Sequence, residues 1–306
     1  YTSISENSNL SSNYEDVTNY YNIIDNEQLS NIYKNIDIVN YLKNKGIIQN
    51  EYSIVDENQY KKINDYLKDE YLLIWKKVIL VKILSTYANY LDMEYRDIIV
   101  NLNNNLTGTT KNMTLKEDAN TIISGVFSND IDKVYESKVI TDNDKKDLNK
   151  LFKEIKKSFK NLLKNNNWLS NDTKEQALTK LDNMKVYIGN YNKTNNSQNL
   201  NLNGNSLITN IISINKTNYI ESLKRLDTNQ EVKALSESEV NAYYSPMTNA
   251  VYIPSSVMFL YSNNANYYEK LGTIGMVIAH EVTHGFDYNG SMFDKEGILN
   301  NWWNDT

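Results

Sequence analysis

Cysteine is absent from the 306-residue sequence. That removes disulfides, thiolate metal ligands and a thiol nucleophile at once, so any bound metal must be held by nitrogen and oxygen. Long apolar runs are lacking as well. The longest candidate, YLLIWKKVILVKIL, is interrupted by Lys76, Lys77 and Lys82 and falls short of the roughly 20 residues of a membrane span. There is no basic excess: 32 Lys and Arg are spread along the chain against 38 Asp and Glu, for a net charge of -6, which argues against nucleic acid as a partner. No charged-then-apolar leader opens the sequence, so these residues assign no compartment by themselves. Histidine is the scarcest chemistry-bearing residue present, with only two in the chain, His280 and His284.

The length suggests two lobes. The Asn-rich tracts NNNLTG and NYNKTNNSQNLNLNGN read as the compositional bias of an AT-rich genome and are given no function. From Tyr60 to Leu91, the apolar positions Ile63, Tyr66, Leu67, Ile74, Val78 and Val81 recur at helical spacing and predict one long amphipathic helix. KKDLNKLFKEIKKSFKNLLK predicts another, with Leu148, Leu151, Phe152, Ile155, Phe159 and Leu162 as its stripe and the lysines as a solvated face. Asp172 and Glu175 form a capping-box-like start for a helix carrying Ala177, Leu181 and Met184, followed by a short strand over Val186 to Ile188. Residues 190–205 are polar and aperiodic and read as a surface loop.

Beyond that loop, EVNAYYSPMTNAVYIP alternates like an antiparallel hairpin around Ser245 to Asn249. A last helix is expected from Leu271 to Phe286, with Ile274, Val277, Ile278 and Val282 on apolar sides and Gly285 as its end signal. These elements give a fold that is mainly α with a small β component (α+β). The expected division is a helical lobe over 1–235 and the start of a catalytic domain over 236–306.

Both histidines lie on that last helix, four residues apart, within GMVIAHEVTHGFDYNG. Side chains at i and i+4 share one helix face, so the two imidazoles can aim at a common point, the usual geometry of a helical zinc pair. Glu281 stands beside the first of them, where it can act as base toward a water held by the metal. Chance would place two histidines around a Glu in this way in roughly less than one case per hundred. Catalytic zinc takes three protein ligands, and the position six residues past His284, where an extended motif would put a third His, is Gly290. Asp287, three residues past His284, reads as an outer acceptor for a ligand histidine or as a cap on the helix end.

VNAYYSPMTNAVYIP, GTIGMVIAHEVTHGFDYNG and the following WW together resemble the catalytic core of the neprilysin and endothelin-converting-enzyme family of zinc metallopeptidases. NNNWLSNDTKEQALTKLDNMKVYIG is similar to the segment that closes that family's helical lobe. The resemblance runs from about residue 35 to the end and implies a bacterial member with a thermolysin-like zinc domain and one Zn2+ per chain. By this resemblance His280 and His284 are the first two zinc ligands and Glu281 is the catalytic base. Asn241 and Ala242 hold the substrate backbone, as a strand edge with free N–H and C=O groups can do. Val257 and Val277 match apolar positions of the pocket for the residue after the scissile bond. Between Phe259 and Tyr268 the sequence, FLYSNNANYY, departs from the family pattern.

The expected activity is zinc-dependent endopeptidase cleavage of peptides. The resemblance further places the third ligand, a Glu, beyond Thr306, so that the 306 residues alone are expected to be incomplete and inactive. It implies a secreted or cell-surface protein, with a cytoplasmic one as the alternative. Two rival functions are a peptide-binding or scaffold protein on an inactive peptidase fold and a zinc hydrolase acting on something other than peptides. The intact His-Glu-His set argues against the first, and the hairpin edge beside the site argues against the second.

Overall fold

The structure, a computed structural model, describes residues 21–109, 113–189, 200, 202, 204, 206–226, 235–261, 264–300 and 302–303. The chain forms two compact units that interleave along the sequence. Among the described residues, one takes 21–127 and 200–226 and the other takes 128–189 and 235–303. The spatial units therefore cut the chain differently from a lengthwise division at 235, because the helices after Ser128 bury their apolar stripes with the His-bearing segment.

The first unit opens with strand β1 (Asn22–Asp25), helices α1 (Asn26–Ile32) and α2 (Ile38–Asn44), and strand β2 (Glu51–Ile54), which pairs antiparallel with β1. Asp25 caps α1 through a capping box with Gln28. Ile24, Leu29, Ile32 and Ile54 form the small core. Helices α3 (Glu57–Asp65), α4 (Leu72–Tyr87), α5 (Met93–Thr107) and α6 (Leu115–Val126) follow.

The single helix expected over Tyr60 to Leu91 is thus broken. Asn64 O accepts from the Asn35 side chain (2.7 Å) and Tyr66 O from the Trp75 indole (2.7 Å), so the carbonyls that would carry the helix onward are already engaged, and Lys68 is extended. The predicted stripe fails with it, since Ile74 and Val81 are exposed.

The second unit begins with α7 (Ser128–Val139), α8 (Asp142–Lys164), α9 (Asn171–Asn183) and strand β3 (Lys185–Ile188). Leu148, Leu151 and Phe152 are buried on α8 as expected. At its far end Leu163 is buried and Leu162 exposed, because at about 100° per residue position 163 returns to within roughly 20° of Phe152 while 162 lies roughly 80° away. The cap of α9 is Ser170, whose hydroxyl accepts from Thr173 N, two residues before the expected Asp172. The predicted loop at 190–205 lies outside the described residues except for 200, 202 and 204.

Helix α10 (Leu207–Lys224) belongs to the first unit. The chain then supplies the second unit with β4 (Tyr243–Ser245) and β5 (Ala250–Ile253), the hairpin read from the sequence. β5 is central, antiparallel to β4 and parallel to β3, and all four of its residues are buried. Tyr187, Tyr252 and Tyr243 stack across the three strands at centroid distances of 5.0 and 4.7 Å.

The hairpin turns on Asn249, a buried residue in the left-handed region (φ 47°). Its side-chain amide donates to Lys180 O (3.0 Å) and Lys295 O (3.2 Å) and accepts from the Tyr244 phenol (2.9 Å). Asn249→Ala removes the partner of two buried groups, Lys180 O and the Tyr244 phenol, and of the part-buried Lys295 O, and puts Ala in a left-handed conformation that Asn tolerates better. We expect a loss of about 2–4 kcal/mol in a urea titration at unchanged m-value. A midpoint within error of wild type would show that the turn does not depend on these bonds.

Short helix α11 (Tyr267–Lys270), a π-helical turn over Leu271–Gly275 and helix α12 (Met276–Thr283) run on without interruption. Ile274, Ile278 and Val282 are fully buried against the core. Lys270 and the Tyr261 phenol both bind the Asp147 carboxylate on α8, at 2.7 and 2.8 Å, which fixes the start of this helical run; the same two donors hold Asp147 below the usual carboxylate range.

Candidate metal centre

Burying Ile274, Ile278 and Val282 leaves the opposite side of α12 facing out, and that side carries His280 and His284. Their Nε2 atoms stand 3.1 Å apart with the rings at 87°. Two nitrogens bound tetrahedrally to one zinc at 2.0–2.1 Å would stand about 3.3 Å apart, so the pair fits a shared ion. Among the described residues, His280, Glu281 and His284 form the group whose ligand atoms lie within 4.8 Å of one another.

Asp287 lies where the chain leaves the helix. Its Oδ2 is 2.7 Å from His284 Nδ1, and its Oδ1 accepts from Gly290 N at 2.7 Å. A proton on Nδ1 directed at this carboxylate leaves the Nε2 lone pair free for a metal. Asp287 thus faces His284 and holds the turn that follows the helix through Gly290 N.

Glu281 is 6% exposed and lines the cleft beside the histidines. Burial raises its pKa, opposed by the two imidazoles and by the Tyr244 backbone N–H that donates to it from β4. The strand and the helix are therefore in register at the site itself. Asn241, Ala242, Tyr243 and Tyr244 form one wall of a cleft of about 420 Å³, and His280, Glu281, His284, Asp287, Asn289 and Gly290 form the other. The Asn241 side chain accepts from Ala242 N (2.9 Å).

The lead into this wall is tied down from below. Buried Glu237 accepts from both the amide and the hydroxyl of Ser255 (2.6 Å each), while Asp132 accepts from Glu237 N (2.9 Å) and the Ser236 hydroxyl (2.6 Å).

Val257 and Val277 are not among the residues lining this cleft. Val257 is 3% exposed inside the core and Val277 packs against it. Asn289, which does line it, was not singled out in the sequence, while Tyr244 and Gly290 were noted there only as part of the hairpin and as the position without a third His. Gly290 leaves no room for a side chain, because a Cβ there would lie 1.8 Å from His284 O.

Comparisons with known proteins agree with this geometry. Family models for peptidase family M13 match residues 2–192, its N-terminal part, and residues 241–306, its peptidase part. A Streptococcus gordonii protein named as a zinc metalloproteinase is 31% identical over 245 residues, covering 75% of this chain and 42% of that protein. A neutral endopeptidase of Lactococcus lactis is 33% identical over 184 residues, covering 58% and 29%. The crystal structure of PepO from Lactobacillus rhamnosis shares the fold, with a TM-score of 0.81 at 23% identity, over 99% of this chain and 48% of that one. The chain thus spans less than half the length of these relatives.

Proposed function

The chain belongs to peptidase family M13, and on that premise we propose that it carries the zinc-binding helix and substrate-binding edge of a zinc-dependent metalloendopeptidase. The observation that supports this most is the convergence of His280 Nε2 and His284 Nε2 beside Glu281, facing the β4 wall of one cleft. His280 and His284 would hold the ion. Zinc bound there supplies Lewis acidity, polarising the scissile carbonyl and lowering the pKa of a coordinated water.

The protein's own groups do the rest. Glu281, which lines the cleft, takes the proton of the attacking water and delivers it to the leaving amine. The Asn241 side-chain amide and the Ala242 carbonyl, both on the cleft wall, hold the backbone of an extended peptide. The role in the pocket for the residue after the scissile bond, which the family resemblance gives Val257 and Val277, has no support from the cleft, since both pack in or on the core instead.

Asp287 is already engaged with His284 and Gly290. A third ligand, a Glu by the family resemblance, is not among the described residues gathered at the site. Residues 1–306 alone would then be inactive.

Asn241→Ala tests the substrate edge. In the full-length gene product, cleavage of a quenched peptide should show kcat/KM lower by about 3- to 10-fold, mostly through KM, with zinc content unchanged, as the loss of one ordinary hydrogen bond implies. Reduced zinc with unchanged kinetics per bound ion would make Asn241 a support of the fold instead.

A further inference from the structure

Lys180, on α9, is 1% exposed, which is rare for a lysine unless its ammonium is fully engaged. It sits 110 residues before the loop it holds. Its Nζ donates to Gly290 O and to Phe293 O (2.6 Å), and the rings of Tyr244, Phe286 and Trp302 surround it at 5.9, 5.8 and 5.7 Å. Burial lowers its pKa to about 8, against the pull of Asp294 and Asp287, so it remains an ammonium at neutral pH.

Other donors pin the same return of the chain. The Trp302 indole also donates to Phe293 O, and that of Trp303 donates to Ser291 O, both at 3.0 Å. The peptide fixed by Lys180 at Gly290 O belongs to the residue whose N–H, at 2.7 Å, orients Asp287 Oδ1. The other oxygen of that carboxylate orients His284.

We propose that Lys180 is a positioning residue for the metal: by holding the Gly290–Phe293 return it keeps Asp287 on His284 Nδ1, and so keeps His284 Nε2 aimed at the ion. This rests on His284 being a zinc ligand. Lys180 touches neither the metal nor the substrate, and its influence passes through Gly290 and Asp287.

The test uses the full-length gene product with Lys180→Met, which keeps the apolar stem, together with Lys180→Arg, Asp287→Ala, His284→Ala and the Lys180→Met/Asp287→Ala double variant. Zinc affinity is read by chelator competition and folding by near-ultraviolet circular dichroism of the metal-free proteins. Lys180→Met should fold and bind zinc roughly 10–100-fold more weakly, the usual effect of losing an outer-shell partner, while Lys180→Arg recovers most of the loss. Because both residues act through one path, the double variant should bind no more weakly than Asp287→Ala alone.

Wild-type affinity in a folded Lys180→Met, or losses that multiply in the double variant, would overturn the proposal. If the Met variant does not fold, Lys180→Gln, which retains one donor, replaces it in the same cycle with the same two outcomes. His284→Ala separates the levels: wild-type affinity there removes the zinc-ligand reading itself, whereas loss there without loss in Lys180→Met removes only this inference.

Discussion

Glu281→Gln in the full-length gene product should keep zinc at wild-type stoichiometry and lose roughly 10²–10⁴-fold in kcat, the range that a positioned proton-transfer group contributes. The substitution preserves volume, and the glutamine carbonyl can still accept from the Tyr244 amide. Helix α12 keeps Ile278 and Val282 in the core, so the imidazoles should stay in place. What disappears is a carboxylate able to take a proton from water. Metal analysis beside cleavage of a quenched peptide separates the two effects, and near-normal turnover by the zinc-loaded variant would remove Glu281 from the base role.

How much of this the sequence carried depends on how local each feature is. The His280, Glu281 and His284 grouping was legible because a helix brings i and i+4 together whatever surrounds it. The β4–β5 hairpin was legible for the same reason, its partners being separated only by the turn at Pro246–Thr248. The strand at Lys185–Ile188 could be seen but its partner could not, because parallel pairing with β5 joins segments far apart in the chain.

Nothing in the sequence set Lys180 apart from the other lysines. Only the return of Gly290 and Phe293 onto α9 makes it buried. The break after α3 was missed because a side chain nine residues on, Trp75, takes the carbonyl that a helix would have used. Apolar spacing carries no information about such a competitor.

A second large effect is expected at the metal. His284→Ala should weaken zinc by more than the roughly 10–100-fold that an outer-shell change costs, since it removes a ligand and leaves Asp287 without its partner. On the proposed reading, residues 1–306 expressed alone should behave similarly, because the described residues bring two imidazoles to the site, one ligand short of a catalytic shell. Dialysis against a mild chelator, followed by metal analysis, compares both with the full-length product. Stoichiometric zinc in the segment would place a third ligand within these 306 residues.

The central claim is that His280 and His284 bind one zinc ion together. Zinc K-edge X-ray absorption of the zinc-loaded full-length product tests it most directly. The account predicts first-shell N/O scattering at about 2.0–2.1 Å with an outer-shell pattern from two imidazoles, falling to one in His284→Ala. An imidazole contribution that is absent, or unchanged by that substitution, would contradict it.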